Sequence, residues 1–159
     1  NLSLNNFHSA KFFIAQLSLK NGINNDMLEY LNNFPDNPYL EEAIYALSNY
    51  YQLHEQIDNE LLLYDKYLNQ FLANHNFLNS YAWRMSELNQ KLDDALKKVN
   101  LALALLDSDD NAYANILDTK AEVLWKMGNN QNALDVINKA LNIEPNNTYF
   151  QSQKTKFEN

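Results

Sequence analysis

Several residue types that would define a class of protein are absent or rare in this chain. Its 159 residues include no cysteine, two glycines and three prolines. Without cysteine there is no disulfide framework, no thiolate chemistry and no cysteine-based zinc site. With so few glycines and prolines, the chain has little room for β-hairpin turns or long loops.

Positive charge and long apolar runs are scarce as well. Twelve Lys and Arg stand against twenty Asp and Glu, a formal net charge of −8. Nucleic acid and anionic membrane surfaces attract clustered basic residues, so we expect neither as a partner. No apolar run reaches the roughly 18 residues of a membrane span, so we expect no direct membrane insertion. The first residue is Asn1 rather than Met, which suggests a processed chain, an expressed segment or part of a longer protein.

One stretch, residues 117–145, has the pattern of a helical hairpin. Leu117, Ala121 and Leu124 recur at the spacing of one helix face, and Gly128 can end that helix in a left-handed conformation. Asn129 and Asn130 offer side-chain oxygens to cap a second helix. The apolar face of the second helix, and the proline that stops it, are Ala133, Ile137, Ala140, Leu141 and Pro145.

These residues resemble the tetratricopeptide repeat, whose pattern is W-x2-L-G-x2-Y, then A-x3-F, then P, over about 34 residues. The chain has Leu117, Ala121 and Leu124 at the Trp, Gly and Tyr positions, and Lys120 where an apolar residue is usual. The second helix matches at the family spacing.

Weaker copies of the same pattern lie upstream. First-helix positions are taken by Ile44, Leu47, Ser48 and Tyr51 in one copy and by Leu78, Tyr81, Ala82 and Met85 in the next. In the earlier copy Glu60 and Tyr67 replace the small residues of the second helix. In the first 20 residues we expect the buried helix face to carry Phe7, Ala10, Ile14 and Leu17.

The resemblance implies an all-α fold: a right-handed superhelix of antiparallel helical hairpins, a tetratricopeptide-like α-solenoid of about four repeats with a C-terminal capping helix. We expect a single domain over residues 1–159. Its repeats would cover about residues 4–37, 38–75, 76–110 and 111–147, and the capping helix residues 148–157.

In such an array the first helix of each hairpin lines a concave surface. We expect the positions one residue beyond each core face to point there and to form a groove for a protein or peptide. This predicted groove consists of Tyr45, Asn49, Gln52, Asn79, Trp83, Ser86, Asp118, Glu122 and Trp125. Its aromatic and acidic character favours a basic or aromatic partner over an acidic one. It has no Lys or Arg, so we do not expect the clamp for a C-terminal carboxylate that some members of the family have.

Other readings remain open. Trp83 and Trp125 could pack between repeats instead of facing a ligand. The chain could be a structural subunit docked in a larger cell-envelope assembly, which its aromatic N-terminal helix would favour, or an accessory domain of a longer enzyme. NFPDNPYLEEAIYAL resembles repeats of bacterial envelope lipoproteins, so we expect a periplasmic or envelope location rather than a cytoplasmic one.

We expect no catalysis, no cofactor and no metal. The segment DSDDNAYANILD, residues 107–118, mimics the oxygen spacing of a calcium loop, but Ala112 stands where that loop needs glycine. An inter-repeat turn explains it better. His8, His54 and His75 lack the paired spacing of zinc ligands. The acidic pairs are adjacent in sequence and so point in different directions on a helix, which is not the arrangement of a catalytic dyad.

Overall fold

A computed structural model describes residues 2–158, and for residues 2–5 the backbone alone. Within this range the chain is all-α, as the sequence predicts. Its elements are α1 (Leu2–Lys20), α2 (Asn25–Asn33), α3 (Leu40–Leu53), α4 (Ile57–Tyr67), a short 3-10 helix (Leu68–Phe71), α5 (His75–Leu88), α6 (Leu92–Ala104), α7 (Tyr113–Lys126), α8 (Asn130–Ile143) and α9 (Thr148–Phe157). The chain divides into two compact units, one ending at Tyr67 and the other beginning at Leu68.

The odd-numbered helices α1, α3, α5 and α7 all end in the same turn. In each turn the residue at the matching position has a positive φ: Gly22, Glu55, Asn89 and Gly128, with φ of 79°, 55°, 52° and 77°. After α5, Lys91 also has a positive φ, of 49°. The residue after each matching position donates its backbone N–H to the carbonyl five residues back, which is the Schellman arrangement. The four bonds are Ile23 N to Ser18 O at 2.9 Å, Gln56 N to Tyr51 O at 2.8 Å, Gln90 N to Met85 O at 3.0 Å and Asn129 N to Leu124 O at 2.9 Å. The chain therefore repeats one helix-ending device about every 35 residues, near the 34-residue period of the motif it resembles.

The start of α8 differs from the sequence prediction. Asn129 makes no side-chain hydrogen bond to the helix that follows it, so its predicted capping role is wrong. Its backbone N–H is instead committed to closing the turn after α7. By contrast, Asn147 caps α9, because its Oδ1 accepts from the backbone N–H groups of Tyr149 and Phe150 at 3.0 and 3.2 Å.

In the first unit α1 packs against α2 and α3, and α3 packs against α4. The predicted buried face of α1 is wrong, because Phe7, Ile14 and Leu17 are exposed. The helix instead buries Phe12 and Ala15. The ring of Phe12 stacks on Tyr39 with centroids 4.8 Å apart and planes 5° apart, and it also contacts Tyr30. These two partners on the neighbouring segments select the face that packs.

Polar side chains, rather than small ones, lie where α3 crosses α4. Glu60 occupies a position where the repeat pattern has alanine, and it is fully buried. Its Oε1 accepts from the hydroxyl of Ser48 at 3.0 Å and from the amide of Gln52 at 2.8 Å. The hydroxyls of Ser48 and Tyr64 lie 3.1 Å apart. Buried carboxylates are tolerated when they are hydrogen-bonded in this way.

In the second unit, alanine side chains lie where the paired helices cross. α5 pairs with α6 and α7 with α8, and α7 also contacts α5, α6 and α9. Small side chains let two helix backbones approach closely. The alanines of the two hairpins are fully buried: Ala82, Ala95, Ala102, Ala121, Ala133 and Ala140. Around α7 and α8 the core is completed by Phe150 and Phe157 of α9.

Candidate functional site

The three predicted groove residues of α3 have different surroundings. Asn49 is exposed, whereas Tyr45 and Gln52 are partly buried. The amide of Gln52 bonds to Glu60 and, at 3.2 Å, to Ser48, so it belongs to the crossing with α4. Asn49 is therefore the residue of this set that is most available to a ligand.

On α5, Trp83 is the accessible aromatic residue. It is partly buried, and its indole Nε1 donates to Glu87 Oε1 at 3.0 Å. The other carboxylate oxygen of Glu87 pairs with Arg84 at 3.1 Å. Ser86 is buried and its hydroxyl bonds to the carbonyl oxygen of Trp83 at 2.6 Å. Asn79 is partly buried, and its Oδ1 has no hydrogen-bond partner among the described residues.

On α7 the predicted groove positions are covered by α9. Asp118 and Glu122 are each only 4% exposed. Glu122 Oε2 accepts from Lys156 at 2.5 Å and from Gln153 at 3.4 Å. Helix α9 therefore covers the face of α7 that was predicted from the sequence to bind a ligand.

Trp125, the third groove position on α7, is partly buried beside the same helix. The Lys156 ammonium lies 4.4 Å from the centroid of its ring, and the ring of Phe157 lies 5.8 Å away. A cation over an indole face is attracted by the ring quadrupole. The Trp125 side chain thus helps to hold α9 in place.

Burial perturbs the acidic group at this contact. It raises the pKa of Asp118 from 3.8 to about 6, and the neighbouring Glu122 carboxylate adds to the rise. Donors on Gln153 and Tyr149 oppose it, as does the charge of Lys156. Burial, followed by the charges of Asp118 and Glu122, raises the pKa of Tyr149 to about 12. Oδ1 of Asp118 has no hydrogen-bond partner among the described residues.

A pocket of about 540 Å³ lies between α1 and α3 in the first unit. It is lined by Gln16, Leu19, Lys20, Gly22, Ala46, Asn49, Tyr50, Leu53 and His54. Of these, Asn49 was also predicted from the sequence as a candidate. The lining residues of α1 were not, because the sequence pattern predicted the wrong buried face for that helix.

The described residues contain no group of three or more His, Asp or Glu placed to hold a metal ion. In the segment that mimics a calcium loop, the carboxylate of Asp110 accepts from the backbone N–H of Ala112 at 2.8 Å, as in an ordinary turn. Asp118 lies within α7, where α9 covers it. None of the described helices is both long and apolar enough to cross a membrane.

Comparison of the chain with protein-family models, with curated proteins and with solved structures finds no significant match.

Proposed function

We propose that the chain is a tetratricopeptide-like scaffold that binds a protein or peptide segment. The observation that carries the proposal is the stacking in the second unit, where α7 packs against α5 as well as against its hairpin partner α8. Stacked first helices present side chains from successive repeats on one surface, which is how solenoid proteins bind extended partners. The recurring turn after α1, α3, α5 and α7 and the buried alanines support the same architecture.

Within this surface we assign the main contact to Trp83 and Glu87. Trp83 retains accessible ring surface, and the Glu87 side chain is 45% exposed beside it. An aromatic face next to a carboxylate suits a partner that carries a cationic or aromatic side chain. Asp118 and Glu122 are enclosed by α9, so we assign them no direct contact with the partner.

The test begins by capturing a partner from the native source with the wild-type chain and identifying it by mass spectrometry. The dissociation constant of the purified partner is then measured. Trp83→Ala is expected to weaken binding at least about tenfold, since central aromatic residues dominate such interfaces. Trp83→Phe should retain most of the affinity.

The melting temperature of each variant serves as the control for folding. Unchanged affinity in Trp83→Ala contradicts the assignment of this surface. A loss of affinity that only follows the folded fraction contradicts it as well, because Trp83 would then be a packing residue.

One observation favours the structural-subunit alternative. Phe13, Ile14 and Leu17 of α1 are 60%, 58% and 61% exposed. Adjacent exposed apolar residues often mark a protein interface. If the chain docks permanently in an assembly through α1, Phe13→Ser with Leu17→Ser should release it from the native complex in size-exclusion chromatography, while Trp83→Ala should not.

A further inference from the structure

The pocket between α1 and α3 has an apolar base. Leu19 of α1 and Ala46 of α3 both line it, and Tyr50 and Leu53 continue the apolar lining along α3. Leu53 is 83% exposed, which is high for a leucine and leaves its side chain without a full packing partner. The volume of about 540 Å³ is within the range of about 300–1,000 Å³ typical of small-molecule sites.

The charge around this pocket is unlike that of the chain as a whole. The chain has a net charge of −8, yet none of the nine lining residues is acidic. The polar side chains of the lining are those of Lys20 and His54 and the amides of Gln16 and Asn49. The groups available to a ligand are therefore the Lys20 ammonium, two side-chain amides and the remaining nitrogen of His54, beside apolar side chains.

Hydrogen bonds hold the pocket lining in place before any ligand binds. The hydroxyl of Tyr50 donates to the carbonyl oxygen of Gly22 at 3.0 Å, which ties α3 to the turn after α1. His54 stacks on the ring of Tyr50 with centroids 4.1 Å apart. Its Nδ1 lies 2.8 Å from the Tyr50 carbonyl oxygen. Because a carbonyl oxygen only accepts, Nδ1 carries the hydrogen and Nε2 remains for an additional contact.

We propose that this pocket binds a small amphiphilic carboxylate, an aliphatic chain that ends in one negatively charged head group. The aliphatic chain lies against Leu19, Ala46 and Leu53, and the carboxylate is placed beside Lys20. Charge complementarity selects the anion, since a cationic head group would meet Lys20 with no carboxylate in the lining to balance it. This site is independent of the peptide-binding surface at Trp83, which belongs to the other unit of the chain.

Three probes with the same chain length separate the contributions of head group and tail. Octanoate, 1-octanol and octyltrimethylammonium are titrated into the full chain by isothermal calorimetry, and the bound site is followed by NMR. Octanoate is expected to bind most tightly and the cation at least about tenfold more weakly. Absence of saturable octanoate binding, or equal binding of all three probes, overturns the proposal.

Variants then locate the site. Ala46→Leu fills the space between the helices and should abolish octanoate binding, and Leu53→Ser, at an exposed position that can change without unfolding the chain, should weaken it several-fold. Lys20→Gln should weaken octanoate but leave octanol unchanged, whereas Lys139→Gln, the same change at an exposed site on α8, should alter neither.

Octanoate binding that is unchanged in both Ala46→Leu and Leu53→Ser places the ligand elsewhere and overturns the proposal. The Trp83→Ala variant should bind octanoate normally. That result distinguishes a failure of this site from a failure of the proposed peptide surface.

Discussion

Two buried carboxylates differ in how fully their oxygens are hydrogen-bonded. Glu60 is fully buried, and its oxygen accepts hydrogen bonds from Ser48 and Gln52. Asp118 is almost as deeply buried, but one of its oxygens has no partner among the described residues. An unsatisfied buried oxygen carries a desolvation cost that a satisfied one avoids. Asp118 is thus a local weak point, whereas the hydrogen bonds of Glu60 offset the cost of its burial.

Asp118→Asn is expected to stabilise the chain at neutral pH. Burial raises the pKa of the folded carboxyl from 3.8 to about 6, so the folded state binds the proton more tightly than the unfolded state. Its contribution to stability is therefore fully present below pH 3.8 and is lost as the pH rises through 6. At pH 7.5 the ionised group costs stability, and removing the charge should raise the free energy of unfolding by about 1–3 kcal/mol.

Urea unfolding at pH 7.5 and at pH 4 checks this expectation. The gain in Asp118→Asn should shrink strongly at pH 4, where the wild-type carboxyl is largely protonated in the folded state. Asp109→Asn, at an exposed position in the α6–α7 loop, provides the matched control and should change little at either pH. A gain of equal size at both pH values would show that charge is not the cause.

Among the turns that follow α1, α3, α5 and α7, the one after α3 has a residue that is poorly suited to its positive φ. Glu55 has a φ of 55°, a conformation that costs an L-residue with a side chain roughly 1 kcal/mol and that glycine adopts freely. Glycine already occupies this position after α1 and α7, and asparagine after α5. Glu55→Gly should therefore raise the free energy of unfolding by about 0.5–1 kcal/mol.

Gly128→Ala supplies the reverse comparison in the same stability measurement. A Cβ added at Gly128 meets no other atom within 4 Å, so any cost comes from the backbone conformation. We expect a loss of about 1 kcal/mol. If Glu55→Gly destabilises the chain, the left-handed conformation at Glu55 is not the source of strain.

The sequence was sufficient for the helices and for several of their boundaries, because periodicity and turn residues are local signals. It predicted the left-handed Gly128 that follows α7, and it predicted a final helix over residues 148–157, which matches α9. It also predicted the buried faces of α3, α5 and α7 correctly, but it was not sufficient for the face of α1. α1 has apolar residues on more than one side, and its packing partners Tyr30 and Tyr39 lie elsewhere in the sequence.

Predicting the groove residues also required knowing which elements pack against each helix. The rule that placed groove residues one position beyond each core face takes no account of what packs beside the helix. On α7 that neighbour is α9, which encloses Asp118 and Glu122. On α3 it is the polar crossing that engages Gln52. Asn49 in the first unit and Trp83 in the second stay accessible. The sequence pattern could not separate such accessible residues from those that are packed.

At the scale of the whole molecule, the two units differ in the kinds of side chain that hold their helices together. The first uses aromatic stacking and a polar helix crossing, and it leaves apolar residues of α1 exposed. The second uses close alanine crossings, with α7 contacting α5, α6, α8 and α9. Local opening is least costly where few apolar contacts would be lost.

Native-state hydrogen exchange should therefore be slowest in α7 and much faster in α1. Nine residues of α7 are buried, whereas among the described side chains of α1 only Phe12 and Ala15 are. We expect amides in the middle of α7 to exchange at least about 100-fold more slowly than those in the middle of α1, after correction for intrinsic rates. NMR or mass spectrometry measures this directly. Equal protection in the two helices would mean that they open in a single cooperative event, and the contrast in packing would then not control stability.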